Sequence, residues 1–526
     1  MKSTLNILHI LIFTLIAFLL DSCDANDDAC GILANGLKRS NISVKHSDVQ
    51  ACFESFPYDK NLAEKTIETL KKTLQGFYVF LSEAKEQPRQ GFSFRAIDLV
   101  KELDSLLSNN YKTDYQFMTD IVSLISETKD AHLSFYPFCY FIFTYNQQLS
   151  LYSTIINDKQ VIKIFADEID KNTIDCEVTH IDGRPSIETG VVVLTSVNPP
   201  DSYFVNEMFE IQNGFNSLEK EGVKKLVLDF SGNRGGSVEL AFFIVYLLFP
   251  ETDPSFNLDM VVTELSREAF FQATSQSVHE DFVDTSLISP LVNISSKESI
   301  ARWAAETAYR VTTISSVFDI FSYKNPATND HFHTVEEFIG NNTYLRGGTS
   351  TRYTSKFVNR YSERLSIFIQ LLSGNFFNKY EWKSDDMIIL TDGVCGSSCS
   401  LIAQRMALNN NVSTVAVGGY KDTPLSYSSF PAGQVLKFEE LIPQLDAAGL
   451  LQNETLADLI PPLFLIRALF GFTLKENYDV VNKDNLNQEG VLEFTYKPAE
   501  HRFYHDEISA RDPSVLWLKV AKELLN

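Results

Sequence analysis

The tightest constraint on this chain is a unit that occurs twice: an apolar strand-like run, a glycine-bearing turn, then a helix-like run. Lys225-Leu226-Val227-Leu228-Asp229-Phe230 leads into Ser231-Gly232-Asn233-Arg234-Gly235-Gly236 and then an apolar stretch to Leu248. Met387-Ile388-Ile389-Leu390 leads into Thr391-Asp392-Gly393-Val394-Cys395-Gly396-Ser397-Ser398-Cys399-Ser400 and then Leu401 to Leu408, with Val415-Ala416-Val417 as a further strand. Strand, turn, helix, strand is the grammar of an α/β core, because neighbouring parallel strands need a crossover between them. The expected fold class is therefore α/β.

The rest of the 526 residues divides by pattern. Residues 46 to 127 predict helices: Ile67, Leu70, Leu74, Phe77 and Leu81 form one apolar stripe. Val100, Leu103 and Leu107 form a second, and Phe117, Ile121, Leu124 and Ile125 a third. From about 131 to 190 short strands are expected, with Asp182-Gly183 as a turn. Residues 252 to 380 carry no usable pattern. At the N-terminus, Lys2, an apolar run from Leu5 to Leu20 and a small, polar stretch to Ala25 have the layout of a secretory signal peptide. An anchoring helix and a lipoprotein site at Cys23 are the competing readings.

Export accounts for two other features. Asn-x-Ser/Thr glycosylation acceptors stand at Asn41, Asn293, Asn341, Asn411 and Asn453. Cys30, Cys52, Cys139, Cys176, Cys395 and Cys399 would remain after signal removal, an even number that suits disulfides in an oxidising compartment. Their spacing fits no zinc site, and no cofactor or metal is expected. A formal charge of −23 disfavours nucleic acid and anionic lipid as partners. No later stretch holds eighteen uninterrupted apolar residues, so no stable membrane partner is expected either.

Three motifs carry chemistry. In Asp229 to Gly236, glycines free backbone N–H groups to cradle an anion, a phosphate or a tetrahedral oxyanion; the order is neither a Walker loop nor G-x-G-x-x-G. A plain strand-to-helix turn is the bland alternative. In Thr391 to Ser400, a Ser or Cys between strand and helix sits at the positive helix end, as a nucleophile needs; a disulfide-stapled turn explains Cys395 and Cys399 equally well. In Lys129-Asp130-Ala131-His132-Leu133-Ser134-Phe135, His132 is a base suited to a serine nucleophile, though a lone His is more often packed or surface-lying.

Together the three resemble peptidase family S41, the C-terminal processing peptidases. The run LVLDFSGNRGG is similar to that family's Gly-rich loop, and GSSCSLIAQRM to its nucleophile turn, which places Ser397 on the reactive serine. The family's usual base, a Lys about twenty-five residues downstream, has no clear match around Lys421 to Pro424. TKDAHLSF instead resembles the Asp-x-His element of the branch that holds the chlamydial protease/proteasome-like activity factor, its secreted fungal-type relatives and tricorn protease.

The resemblance implies a secreted serine endopeptidase with a ClpP/crotonase-like α/β core, acting on protein or peptide substrates. It implies a signal peptide over 1–25, an N-terminal helical domain over 26–130, a shortened PDZ-like segment over 131–188 and a catalytic domain over 189–526. Ser397 would be the nucleophile and His132 the base. Backbone N–H groups of Gly235 or Gly236 and of Ser398 would hold the oxyanion. Glu500, then Glu493, is the candidate for the carboxylate that orients His132. A homodimer stays open. Two other readings compete: an inactive relative kept as a secreted binding protein, and an unrelated esterase using His501 or His505, which lacks the G-x-S-x-G elbow.

Overall fold

The computed structural model describes residues 28–40, 43–86, 94–144, 149–156, 158–167, 189–194, 196, 204–276, 316–359, 380–431, 433–478, 491–506 and 508–525. The N-terminal segment, Asn41, Asn293 and Cys176 lie outside them.

The strands in chain order are β1 (Ser134–Pro137), β2 (Leu149–Ile156), β3 (Lys159–Asp167), β4 (Thr189–Val193), β5 (Lys225–Asp229) and β6 (Asn257–Asp259). Five short strands follow, β7 (Tyr323–Asn325), β8 (Asp330–His331), β9 (Asn342–Arg346), β10 (Thr349–Tyr353) and β11 (Val358–Asn359). The last five are β12 (Met387–Thr391), β13 (Ser413–Val417), β14 (Gln434–Lys437), β15 (Ala468–Tyr478) and β16 (His501–Phe503).

The fold is α/β. A five-stranded parallel sheet runs in the order β16-β13-β12-β5-β4. Successive side chains on a strand point to opposite faces, and here both faces are covered. Leu226, Leu228, Met387 and Ile389 pack against the helices Val238–Leu248 and Ser398–Asn410. Val227, Ile388, Leu390 and Val415 pack with Leu516 and Val520 of the C-terminal helix Pro513–Leu524.

A second, antiparallel sheet joins β1, β15 and β14, with β6 also on β15. The expected stripes lie along the helices Lys60–Phe77, Leu99–Leu106 and Asp114–Glu127, except that Leu81 and Leu107 fall past the ends of the first two; the buried Ile67, Leu70, Leu103, Phe117 and Ile121 share one core with Phe470, Phe472 and Leu474 of β15. The region without sequence pattern supplies β6 to β11 and the helix Glu264–Gln276. Of the expected PDZ-like segment, β2 and β3 form an antiparallel hairpin, and residues 168–188 lie outside the described chain.

Disulfides join Cys30 to Cys52 and Cys395 to Cys399, and Cys139 is exposed. Asn341 and Asn411 are exposed, as a glycan would require. Among the described residues no helix is long and apolar enough to cross a membrane.

β15 also carries ionic side chains into the core. Glu476 accepts two hydrogen bonds from Arg346, at 3.0 and 2.8 Å, and Lys475 donates to Asn359 Oδ1 at 3.2 Å. Burial pushes Lys475 down to about 7. Between that value and the ordinary lysine value the unfolded chain binds a proton that the folded chain does not, so stability from this group rises with pH over that range. Lys475→Met should therefore raise stability at pH 7 by about 1–3 kcal/mol, with the gain shrinking towards pH 10. Denaturant midpoints at the two pH values check this.

Candidate active site

The parallel pairing of β12 with β5 sets the two glycine-bearing turns side by side. Met387 stands opposite Leu226 and Leu390 opposite Asp229, so both turns leave the same end of the sheet. Further bonds then lock them together. Phe230 N–H donates to the Leu390 carbonyl at 2.8 Å, Gly232 N–H to Asp392 Oδ2 at 3.0 Å, and Gly396 N–H to the Asn233 carbonyl at 3.1 Å. Gly235 has a φ of 98°, and a Cβ built there would lie 2.6 Å from Ser397 Cβ and 2.9 Å from Ser398 N. Only glycine permits that approach.

Ser397 sits at the head of the helix Ser398–Asn410 with φ 51° and ψ −127°. Such a conformation in a non-glycine residue costs roughly 1–3 kcal/mol and is held by its surroundings. Ser397 N–H donates to the Phe430 carbonyl, and Ser429 N–H donates to the Cys395 carbonyl at 2.7 Å. A serine at a helix head ordinarily turns its hydroxyl back to cap the helix. Ser397 makes no such cap bond. Its Oγ lies 3.0 Å from His132 Nε2.

His132 reaches that point from the other sheet. It lies in the turn between the helix Asp114–Glu127 and β1, and Lys129 turns the chain there with φ 59°. Asp130 fastens the turn: its Oδ1 accepts the His132 backbone N–H at 2.8 Å, and its Oδ2 accepts the Thr473 hydroxyl of β15, also at 2.8 Å. The Tyr78 hydroxyl bonds to the same buried carboxylate. The His132 ring meets Phe430 edge to face, with centroids 5.5 Å apart. Burial pushes the imidazole below the ordinary histidine value, and the Asp130 carboxylate opposes that. The neutral, proton-accepting form is favoured.

The structure brings Ser397, His132, Gly235, Gly236 and Ser398 together. It separates the two backbone candidates on the glycine loop. Gly235 N–H is spent on Asn233 Oδ1 at 2.8 Å, which leaves Gly236, itself in an isolated β-bridge, and Ser398 as the backbone candidates. It does not bring Glu500 to His132. Glu500 Oε2 accepts from Ser413 at the start of β13, while Ser397 follows the far end of β12. At about 3.3 Å per residue, the length of a five-residue strand lies between them.

Glu493 is buried, accepts the Asn477 N–H at 3.4 Å and makes no hydrogen bond to His132. Burial, with Glu476 and Asp130 nearby, drives its carboxyl well above the usual range. Lys421, the only lysine in the stretch where the family's base would fall, pairs instead with Asp158 at 2.5 Å. His501 lies on β16 opposite Val415, within the sheet.

Three contributors had no role assigned from sequence. Asp130 two residues before His132 has the form of an Asx turn, a local signal that was legible. Thr473 and Phe430 reach Asp130 and His132 from more than 290 residues away and leave no local trace there. A cavity of about 450 Å³ adjoins the site, lined among others by Tyr78, Phe80, Asp130, Ser429, Phe430 and Glu493. Among the described residues no group of three or more His, Cys, Asp or Glu stands where it could hold a metal ion.

No family model matches the chain, and no curated protein matches it. Among solved structures it is similar to mature CPAF, with 10% identity and a TM-score of 0.43 over 89% of this chain and 97% of that one. It is also similar to the photosystem II D1 C-terminal processing protease, with 10% identity and a TM-score of 0.33 over 89% and 98%. A third is a lipoprotein from Streptococcus agalactiae, with 10% identity and a TM-score of 0.34 over 88% and 96%. What the site can do rests on its own geometry.

Two glycines of the same loop test that geometry. Both Gly232 and Gly235 have positive φ, but a Cβ on Gly232 meets nothing within 4 Å. Gly232→Ala should cost only the conformational strain, about 1–2 kcal/mol. Gly235→Ala should cost about 1–3 kcal/mol more, the range for forced overpacking. Urea midpoints compare the two, and equal costs would refute the tight contact.

Proposed function

We propose that this chain is a secreted serine endopeptidase of the S41 type, with Ser397 as nucleophile and His132 as general base. The observation that carries the reading is the 3.0 Å pairing of His132 Nε2 with Ser397 Oγ, made by residues 265 positions apart. Nucleophile and base within hydrogen-bond reach are the signature of covalent acyl transfer. The signal-peptide layout, two disulfides and exposed glycosylation acceptors support export. The motif resemblance supports the division into a helical segment over 26–130, a shortened PDZ-like segment over 131–188 and a catalytic domain over 189–526.

In this reading the Ser397 Oγ attacks a peptide carbonyl carbon as its proton passes to His132 Nε2. The carbonyl oxygen gains the negative charge and is held by Gly236 N–H, Ser398 N–H and the positive end of the helix Ser398–Asn410. Collapse breaks the C–N bond, and His132 returns its proton to the leaving amine. Water then attacks the acyl-enzyme by the same route and releases the second product. Asp130 is the carboxylate that stabilises the imidazolium, by charge and by fixing the backbone of His132.

One observation favours a second reading, a silent relative that binds without cleaving. The buried Nδ1 of His132 has no hydrogen-bond partner among the described residues, so no carboxylate fixes the ring tautomer.

Labelling with a fluorophosphonate, which reacts with an activated serine, separates the two. The wild type should label at Ser397, and Ser397→Ala and His132→Ala should abolish it; a folded wild type that does not label would favour the silent reading. The labelling rate should fall as pH drops through a value below that of free histidine, because burial keeps His132 neutral to lower pH. Asp130→Asn removes the charge that opposes this, so the acid limb should move lower still. Its maximal rate should fall about tenfold, the effect of losing roughly 1.4 kcal/mol of imidazolium stabilisation. An acid limb that moves upward would contradict this role for Asp130.

A further inference from the structure

The Cys395–Cys399 disulfide brackets Ser397 symmetrically, and both cysteines are fully buried. Two features of this turn do not follow from a need for stability alone. The first is geometric. Residues four apart along a continuous helix hold their Cβ atoms about 5–6 Å apart. A disulfide needs them within about 3.5–4.5 Å. The bond is therefore incompatible with the helix Ser398–Asn410 starting a turn earlier and running through 395–399. It requires the chain to bend between the two cysteines, and the bend is at Ser397, with its positive φ.

The second feature is the fate of the hydroxyl. Serine is among the strongest helix-capping residues, and an ordinary cap has extended backbone with the hydroxyl bonded to the N–H two or three residues on. Ser397 stands at the cap position with neither feature. A competing conformation with its own hydrogen bond thus exists for this turn, and adopting it would take the Oγ away from His132.

We propose that the Cys395–Cys399 disulfide is a positioning element for the nucleophile, holding the 395–399 turn in the bent conformation that presents Ser397 Oγ to His132. The inference rests on the reading of Ser397 as nucleophile, and adds that the pairing depends on the oxidised state of this bond. Reduction by a dithiol transfers two electrons and two protons to the bond, leaving two thiols and the dithiol as its own cyclic disulfide. The freed turn no longer has to bend at Ser397, so the helix Ser398–Asn410 can extend back through it and draw the Oγ from His132 while both sheets and their cores persist.

The test uses the full mature chain with Cys395→Ala/Cys399→Ala, beside Cys30→Ala/Cys52→Ala as a control for losing a disulfide elsewhere. The 395/399 variant should keep the wild-type circular dichroism and melt only a few degrees lower. Its fluorophosphonate labelling rate at 25 °C should fall at least thirtyfold, and the control should label like wild type. The 15N imidazole spectrum should show His132 Nε2 losing its hydroxyl partner in the 395/399 variant alone, a change that a merely stabilising bond would not produce.

A 395/399 variant that labels at the wild-type rate, or whose His132 resonance is unchanged, overturns the proposal. If the wild type does not label at all, the peptidase reading fails, and the imidazole spectrum still decides this inference. Should the 395/399 variant not fold, the control protein treated with a dithiol replaces it. Loss of labelling that returns on reoxidation supports the proposal, and full labelling in the reduced state overturns it.

Discussion

The parallel ladder between β5 and β12 is the constraint from which the rest of the site follows. Its register places Leu390 beside Asp229, and so fixes which two turns emerge together. Once they do, the Asn233 carbonyl reaches Gly396 N–H, and Gly235 has to lie where any side chain would strike Ser397. A slip of the ladder by one residue would exchange the two faces of β12 and break both packed cores at once. The apolar alternation that secures the sheet thus also secures the spacing of the two loops.

The base comes from a different layer, and its position has a different physical origin. β15 is tied to the N-terminal helices by a shared aromatic and aliphatic core, and Thr473 on that strand holds Asp130. Asp130 in turn holds the backbone of His132. Phe430 joins the two layers, since its ring lies against His132 while its carbonyl accepts from Ser397. The 3.0 Å pairing is therefore made across two layers that meet at Phe430.

What was legible in the sequence was local. The two strand-turn-helix units, the helical stripes and the motifs around Ser397 and His132 each depend on residues a few positions apart, and hydrophobic period and turn chemistry record such relations directly. Relations between distant segments were not recorded. Glu500 is a candidate only through the family resemblance, which implies a carboxylate late in the chain but cannot say at which end of a sheet it falls; beside β13 it lies at the end away from Ser397. Gly235 and Gly236 were equivalent in sequence, and only the side chain of Asn233, folding back on Gly235 N–H, distinguishes them. The cysteines flanking Ser397 permitted a nucleophile or a staple, and the structure contains a stapled turn with the serine inside it.

The electrostatics of the site follow from how dry it is. Burial disfavours every charge placed there, and it lowers His132 and raises Asp130 and Glu493 by the same mechanism. Asp130 is distinguished from Glu493 by its donors: the His132 N–H, the Thr473 hydroxyl and the Tyr78 hydroxyl all favour its ionised form, while Glu493 has its own backbone N–H, a long bond from Asn477 and a second oxygen without a partner among the described residues. The donors thus favour charge on Asp130, beside the histidine, more than on Glu493. The same donors fasten the turn that carries His132 to Ser397, so the charge beside the histidine and the placing of its ring have one origin.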